Sequence, residues 1–181
     1  LGANMRGADI TGSQRAGLSA LLAAFDAVSA GSASHALVAA ADTRKTRAAS
    51  PAELNYGDGA AAFEVGKSNV IARLLGTASS TIDFIDHFRG EGEDFDYHWE
   101  ERWIRDEGFV TIVPPVVKAA LTKAGIEAAA VDHFIMPTTF ARLDQQIAKA
   151  CGIAPEKVRD NLAGKLGECG SAHALVMLAH A

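Results

Sequence analysis

The sequence predicts an α/β layered fold, and three observations carry that expectation. Short apolar runs alternate with helix-period stretches along most of the 181 residues. The runs "HALVAAAD" (35–42) and "GDGAAAFEVG" (57–66) read as buried strands, bounded by turn residues and too short for typical helices. Alanine and glycine dominate while aromatics make up only 7%, which favours close packing of helices on strands over a bulky core.

Each element follows in order. "GADITGSQRAGLSAL" (7–21) predicts a strand running into a tight polar turn and then a helix. Residues 15–30 place Leu18, Leu21, Leu22, Phe25 and Val28 at helical spacing, with Gly31 as the stop. The strand 35–42 is followed by the polar loop "TRKTRAASPAELNY" and the strand 57–66. Composition shifts near residue 83, where "DFIDHFRGEGEDFDYHWEERWIRDEG" mixes charge with aromatics; it reads as a surface excursion pinned to the body by its rings. Regular patterning then resumes. "PPVVKAALTKAGI" predicts a helix opened by proline and ended by Gly125, "VDHFIMP" a strand, and "TFARLDQQIAKACGI" a helix ended by Gly152. "APEKVRDNLAGKLG" predicts a further helix opened by Pro155, and "SAHALVMLAHA" begins one more.

Three segments result: 1–82, the acidic and aromatic stretch 83–110, and 111–181. The outer two read as pieces of two similar halves. Leu1 at the start and an apolar helix pattern running to Ala181 predict a partial chain.

Hydrophobic residues at 49% and charged residues at 22% describe an ordinary globular protein. A net charge of −5, a pI near 5.6 and the lack of a dense basic stripe argue against nucleic acid as a partner. No apolar run approaches about 18 residues and no charged leader precedes one, so neither a membrane span nor a signal peptide is expected, and the predicted compartment is the cytoplasm. Cys151 and Cys169 match neither a zinc nor a redox spacing and are expected to be reduced; no metal site is expected.

Three blocks together resemble one family. They are "ADITGSQRAGLSALLAAFDAVSAG" with "ALVAAAD", then "ELNYGDGAAAFEVG", then the stretch from "VDHFIMP" to "GECGSAHALVML". In order and spacing they are similar to the thiolase superfamily, in its ketoacyl synthase III and HMG-CoA synthase branch. The resemblance implies a thiolase-like αβαβα layered fold of two similar halves, with carbon-bond chemistry on acyl thioesters and dimerisation through the sheet of the first half. It covers nearly all of this chain but only about half of such a protein.

The resemblance also implies a cysteine nucleophile at the head of the buried helix, with a histidine and an asparagine from two later loops that polarise the thioester carbonyl. At those positions this sequence has Gln14, Pro137 and Glu168. A slip of one residue offers Ser13 or Arg15 for the nucleophile, and the histidine nearest Pro137 is His133, within the predicted strand. A small register error therefore does not restore the set. Glutamine carries no nucleophilic atom but donates and accepts hydrogen bonds.

Other residues offer alternatives. Cys169 and His173 are four apart on one helical face, either as a second nucleophile and base beside Glu168 or as packed residues of a glycine turn. His87 with Asp83 and Asp86 reads either as a metal cluster or as surface charge. Arg44, Lys45 and Arg47 suit the phosphates of coenzyme A or a solvated loop. Arg15 opposes the helix dipole and calls for an anionic substrate group or an acid such as Asp9.

The expected ligand is thus an acyl-CoA or acyl-carrier thioester, with no bound cofactor besides, and the expected partner is a thiolase-fold subunit in a homo- or heterodimer. Three functions stay open: an altered-site subunit supporting an acyl-transfer or condensing complex, an acyltransferase or decarboxylase working through Gln14 or Cys169, and a structural or binding module.

Overall fold

The computed structural model describes residues 5–181; residues 1–4, the start of the first expected segment, lie outside the described residues. Helix α1 spans Ala16–Ser29, strand β1 Ala36–Thr43, the short helix α2 Pro51–Asn55 and strand β2 Asp58–Val65. The two strands form an antiparallel ribbon in register from Ala36 opposite Val65 to Thr43 opposite Asp58. A second ribbon pairs β3, His87–Phe88, with β4, Tyr97–His98.

A continuous helical stretch follows: α3 at Glu101–Trp103, a π-helical segment at Ile104–Val110 and α4 at Thr111–Ala124. Helix α5 covers Leu143–Ala150, α6 Ala163–Leu166 and α7 His173–His180, the last entered through a 3₁₀ turn at Gly170–Ala172.

Two hydrophobic clusters hold these elements. In the first, Leu21, Ala24 and Val28 of α1 meet Val38 and Ala40 of β1, and Leu175 of α7 joins them. The end of the chain therefore packs on the elements at its beginning. In the second, Leu143, Ile147 and Ala148 of α5 enclose Phe134, Met136 and Ile153, with Val113 and Val117 of α4 at the margin. Burial alternates along β1: Val38 and Ala40 point into the first cluster, whereas Leu37, Ala39 and Ala41 point out. The ribbon thus has one covered face and one open face.

Helix α1, both ribbon strands, α5 and α7 form where the sequence places them, and Gly31, Gly125 and Gly152 take positive φ at the predicted stops. Four expectations are corrected. Residues 7–11 form no strand among the described residues and lie exposed before the turn. The helix expected to open at Pro114 begins upstream, so that Pro114 and Pro115 lie inside it. Neither proline carries an N–H, which leaves the Val110 and Thr111 carbonyls without i+4 donors, and the backbone before them takes the wider π register.

Residues 131–137 make only one bridge, Phe134 to Val158, with hydrogen bonds from Phe134 N–H to the Lys157 carbonyl at 2.8 Å and from Arg159 N–H to the Phe134 carbonyl at 2.9 Å. That bridge interrupts the helix expected over 154–167. Asp160 and Asn161 then bind the N–H groups of Leu162 and Ala163, stopping one backbone path and starting α6.

Candidate functional site

Strand β1 delivers Arg44 to the interior just past its end. The side chain, 5% exposed, pairs with Glu168 and with Asp96 Oδ2 at 3.0 Å, and its guanidinium lies 4.0 Å from the centroid of the Tyr56 ring. A buried cation is tolerated only with such partners, and here two carboxylates and an aromatic face supply them.

Glu168 is held in place through its backbone: its N–H donates to the Asn55 carbonyl at 2.7 Å, and Gly57 N–H donates to the Glu168 carbonyl at 3.0 Å. The close approach requires glycine, since a Cβ on Gly57 would run into the Leu166 carbonyl. Arg44, one of the residues expected to suit coenzyme A phosphates, thus gives one N–H of each Nη to a carboxylate.

The ribbon β3–β4 brings His87 opposite His98, their rings stacked with centroids 5.3 Å apart. His87 Nδ1 meets Asp86 Oδ1 at 2.9 Å, and its Nε2 lies 2.7 Å from the Gln14 amide. The hydrogen bond to Asp86 raises the His87 pKa above its usual value, against the opposing effect of burial. Burial works to raise the Asp86 carboxyl, but its hydrogen bonds and the imidazolium outweigh this and lower it. Burial and the neighbouring His87 push His98 down, which suits a neutral ring accepting the Tyr56 hydroxyl at 2.9 Å. Burial raises the Tyr56 phenol despite Arg44, so that hydroxyl keeps its proton. Two neighbouring imidazoles are thereby driven toward opposite protonation states, the arrangement that separates an acid from a base.

Gln14, Pro137 and Glu168 all line one cavity of about 130 Å³, together with His87 and His98. The three positions singled out by the family resemblance therefore converge. Gln14 sits in the turn before α1. Pro137 lies between the buried Met136 and Thr138, whose carbonyl accepts from Asn161 Nδ2 at 3.2 Å. His133 is exposed and away from this lining. Arg15 and Asp9 are exposed as well, and Arg15 makes no side-chain hydrogen bond or ion pair among the described residues.

Cys169 and His173 are near each other but not as nucleophile and base. The backbone N–H of Cys169 donates to His173 Nδ1 at 3.1 Å, and His173 Nε2–H donates to the Asn161 carbonyl at 2.8 Å. Both ring nitrogens are thus spent on backbone groups. The thiol itself is sealed, pointing to the Gly167 carbonyl at 3.4 Å. Burial first, then Glu168, Asp58 and Asp42, push its pKa up.

Of His87, Asp83 and Asp86, the structure joins only His87 and Asp86; Asp83 is exposed, and among the described residues no group of three or more His, Cys, Asp or Glu is placed to hold an ion. A larger cavity of about 590 Å³ adjoins the first through Tyr56, His98 and Phe140, and Lys45 and Arg47 stand in its wall.

Sequence reasoning did not single out Tyr56, Asp96 or His98, and it read the segment that carries two of them as surface. The signal that finds Asp96 and His98 is "HFRGEGEDFDYH", two aromatic-flanked histidines on either side of a glycine-rich turn, which is a hairpin pattern.

No family model matches the chain. It is similar to the hydroxymethylglutaryl-CoA synthase of Pyrococcus furiosus, 29% identical over 176 residues, which is 96% of this chain and 50% of that protein. Among solved structures it is similar to 3-oxoacyl-(acyl carrier protein) synthase III from Pseudomonas aeruginosa, with a TM-score of 0.73, 22% identity, and 93% of this chain and 55% of that one covered. It is also similar to an HMG-CoA synthase complexed with CoA, with a TM-score of 0.73, 16% identity, and 93% and 46% covered. At these identities the structural likeness establishes the fold. The chain spans about half the length of the relatives it matches.

Proposed function

We propose that this chain, which has the thiolase-like fold and is similar to ketoacyl synthase III and HMG-CoA synthase, binds an acyl-CoA thioester at the Gln14 cavity without forming an acyl-enzyme. In this reading it serves as an altered-site subunit of an acyl-transfer or condensing assembly. One observation carries it: Gln14, Pro137 and Glu168 meet in a single cavity, the first two have no nucleophilic atom, the Glu168 carboxylate is held in an ion pair with Arg44, and the thiol of Cys169 is sealed beside it.

The adjoining 590 Å³ cavity, with Lys45 and Arg47 in its wall, offers room for the rest of the coenzyme. Further thiolase-fold material, from a longer chain or from a dimer partner, covers the open ribbon face at Leu37, Ala39 and Ala41 in this reading. No helix among the described residues is long and apolar enough to cross a membrane; residence in the cytoplasm belongs to the same proposal.

Incubation with radiolabelled acetyl-CoA and malonyl-CoA, alongside calorimetry with CoA, tests the reading. Binding without stable label or turnover is expected. Covalent label on the chain refutes the altered site, and absence of CoA binding leaves the structural-module alternative.

A second reading, turnover through an unconventional site, draws on the contacts of Gln14 with His87 and Arg44. Turnover by wild type that is abolished by Gln14→Ala would favour it. Cys169 has no such observation behind it.

A further inference from the structure

We propose that His87 and Arg44 form a hole for the thioester carbonyl oxygen of a bound acyl-CoA, a place that the Gln14 amide oxygen fills when no ligand is present. The inference rests on the acyl-CoA reading above and adds the atoms that recognise the acyl group.

With the Gln14 oxygen turned toward the two cations, it accepts from His87 Nε2 at 2.7 Å, Arg44 Nη1 at 2.8 Å and Arg44 Nη2 at 3.1 Å. This orientation is assigned from the network: the reverse would set the amide NH₂ against the guanidinium donors. Three donors thus converge on one oxygen.

The donors are fixed from behind and the acceptor is not. Asp86 holds His87 at Nδ1, while Glu168, Asp96 and the Tyr56 face hold Arg44. Gln14 is an exposed residue of the turn that precedes α1, and rotation of its side chain frees the hole. Donors already oriented in a partly buried site stabilise a polarised oxygen without reorganising.

The charge balance selects the ligand class. His87, Arg44 and Arg89 stand against Asp86, Asp96 and Glu168, so the cluster is neutral as a whole. A carboxylate would bring an uncompensated charge, whereas a thioester carbonyl, like the glutamine amide it replaces, brings a neutral oxygen with a strong dipole. The cavity wall at Pro137 and Glu168 supplies no competing donor, proline having none and a carboxylate only accepting.

Calorimetry with acetyl-CoA and with S-ethyl-CoA, which lacks the carbonyl oxygen, tests the hole in wild type, Gln14→Ala, His87→Phe and His87→Gln. Gln14→Ala is expected to tighten acetyl-CoA about tenfold with S-ethyl-CoA unchanged. His87→Phe is expected to erase the preference for the carbonyl ligand, and His87→Gln, which keeps a donor, to restore part of it. Infrared difference spectra of bound acetyl-CoA should show the thioester carbonyl stretch lowered in wild type and returned toward its free value in His87→Phe. Equal binding of both ligands in wild type and Gln14→Ala overturns the hole and leaves the CoA-binding reading standing. Failure of both ligands to bind overturns the two together.

Discussion

Arg44 and Glu168, 124 residues apart in sequence, form a buried ion pair whose carboxylate partner occupies the position where the family resemblance implies an asparagine. The pair joins the end of β1 to the turn before α7, and Asp96 extends it into the acidic segment. Removing Arg44 strands Glu168. Arg44→Ala is expected to destabilise the protein by about 3–5 kcal/mol, because the buried Glu168 carboxylate loses its cation and Asp96 keeps only Arg89. Combining it with Glu168→Gln should recover part of that loss. Urea unfolding of the single and double variants measures both effects.

The Asp86–His87 pair makes stability depend on pH in a predictable direction. His87 has a folded pKa raised above the ordinary 6.5, so its contribution is present below that value and lost as pH rises through the raised one. Asp86 is lowered below the ordinary 3.8, so its contribution is present above that value and lost as pH falls through the lowered one. The advantage of wild type over Asp86→Asn should therefore be largest between 3.8 and 6.5 and shrink on the alkaline side. Nuclear magnetic resonance titration should also find His87 releasing its proton at lower pH in Asp86→Asn. An unchanged His87 titration would show that the carboxylate does not hold the imidazolium.

What the sequence made legible follows from how local each cause is. The apolar faces of α1, α5 and α7 and the alanine strands β1 and β2 are set by periodicity within a few residues, and each formed where that periodicity places it. Gln14, Pro137 and Glu168 could be grouped from sequence because the resemblance implied one site for their positions, and the three line one cavity.

The role of Arg44 was not legible. Its neighbours Lys45 and Arg47 suggested a solvated basic loop, while the partners that bury it, Asp96 and Glu168, come from distant segments. The pairing of His87 with His98 was obscured for a related reason: charge and aromatics in a glycine-containing stretch describe a surface as well as a two-stranded ribbon, and only the ribbon stacks the two rings. The helix expected over 154–167 failed because Val158 and Arg159 bond Phe134, a contact no local pattern encodes.

Cys169 should behave as an inert thiol. Its sulfur is buried, hydrogen-bonded to a carbonyl and surrounded by acids that raise its pKa. Cys151 is also buried, and burial raises it too. Ellman's reagent at pH 8 is expected to leave both cysteines unmodified in the native protein and to titrate both in denaturant. Cys169→Ala should bind CoA as wild type does. Rapid native labelling of Cys169, or loss of ligand binding on its removal, would return it to the list of reactive groups.

Under the proposed CoA-binding reading, Lys45 and Arg47 are the candidates for the coenzyme's phosphates, since Arg44 is buried against Glu168 and Asp96. Both are exposed, and both stand in the wall of the 590 Å³ cavity, where Arg47 lies 5.8 Å from the Phe95 ring. Glu93 and Glu101 share that wall and disfavour an anion on their side, which confines phosphate to the basic side. Charge-assisted contacts in an open setting are modest and screened by salt. Lys45→Ala and Arg47→Ala are each expected to weaken CoA about three- to tenfold at low ionic strength, with the difference shrinking as salt rises. Pantetheine, which carries no phosphate, should bind the variants and wild type alike. Calorimetry with the two ligands separates the contributions: if CoA and pantetheine respond equally, Lys45 and Arg47 shape the cavity and the phosphates lie elsewhere.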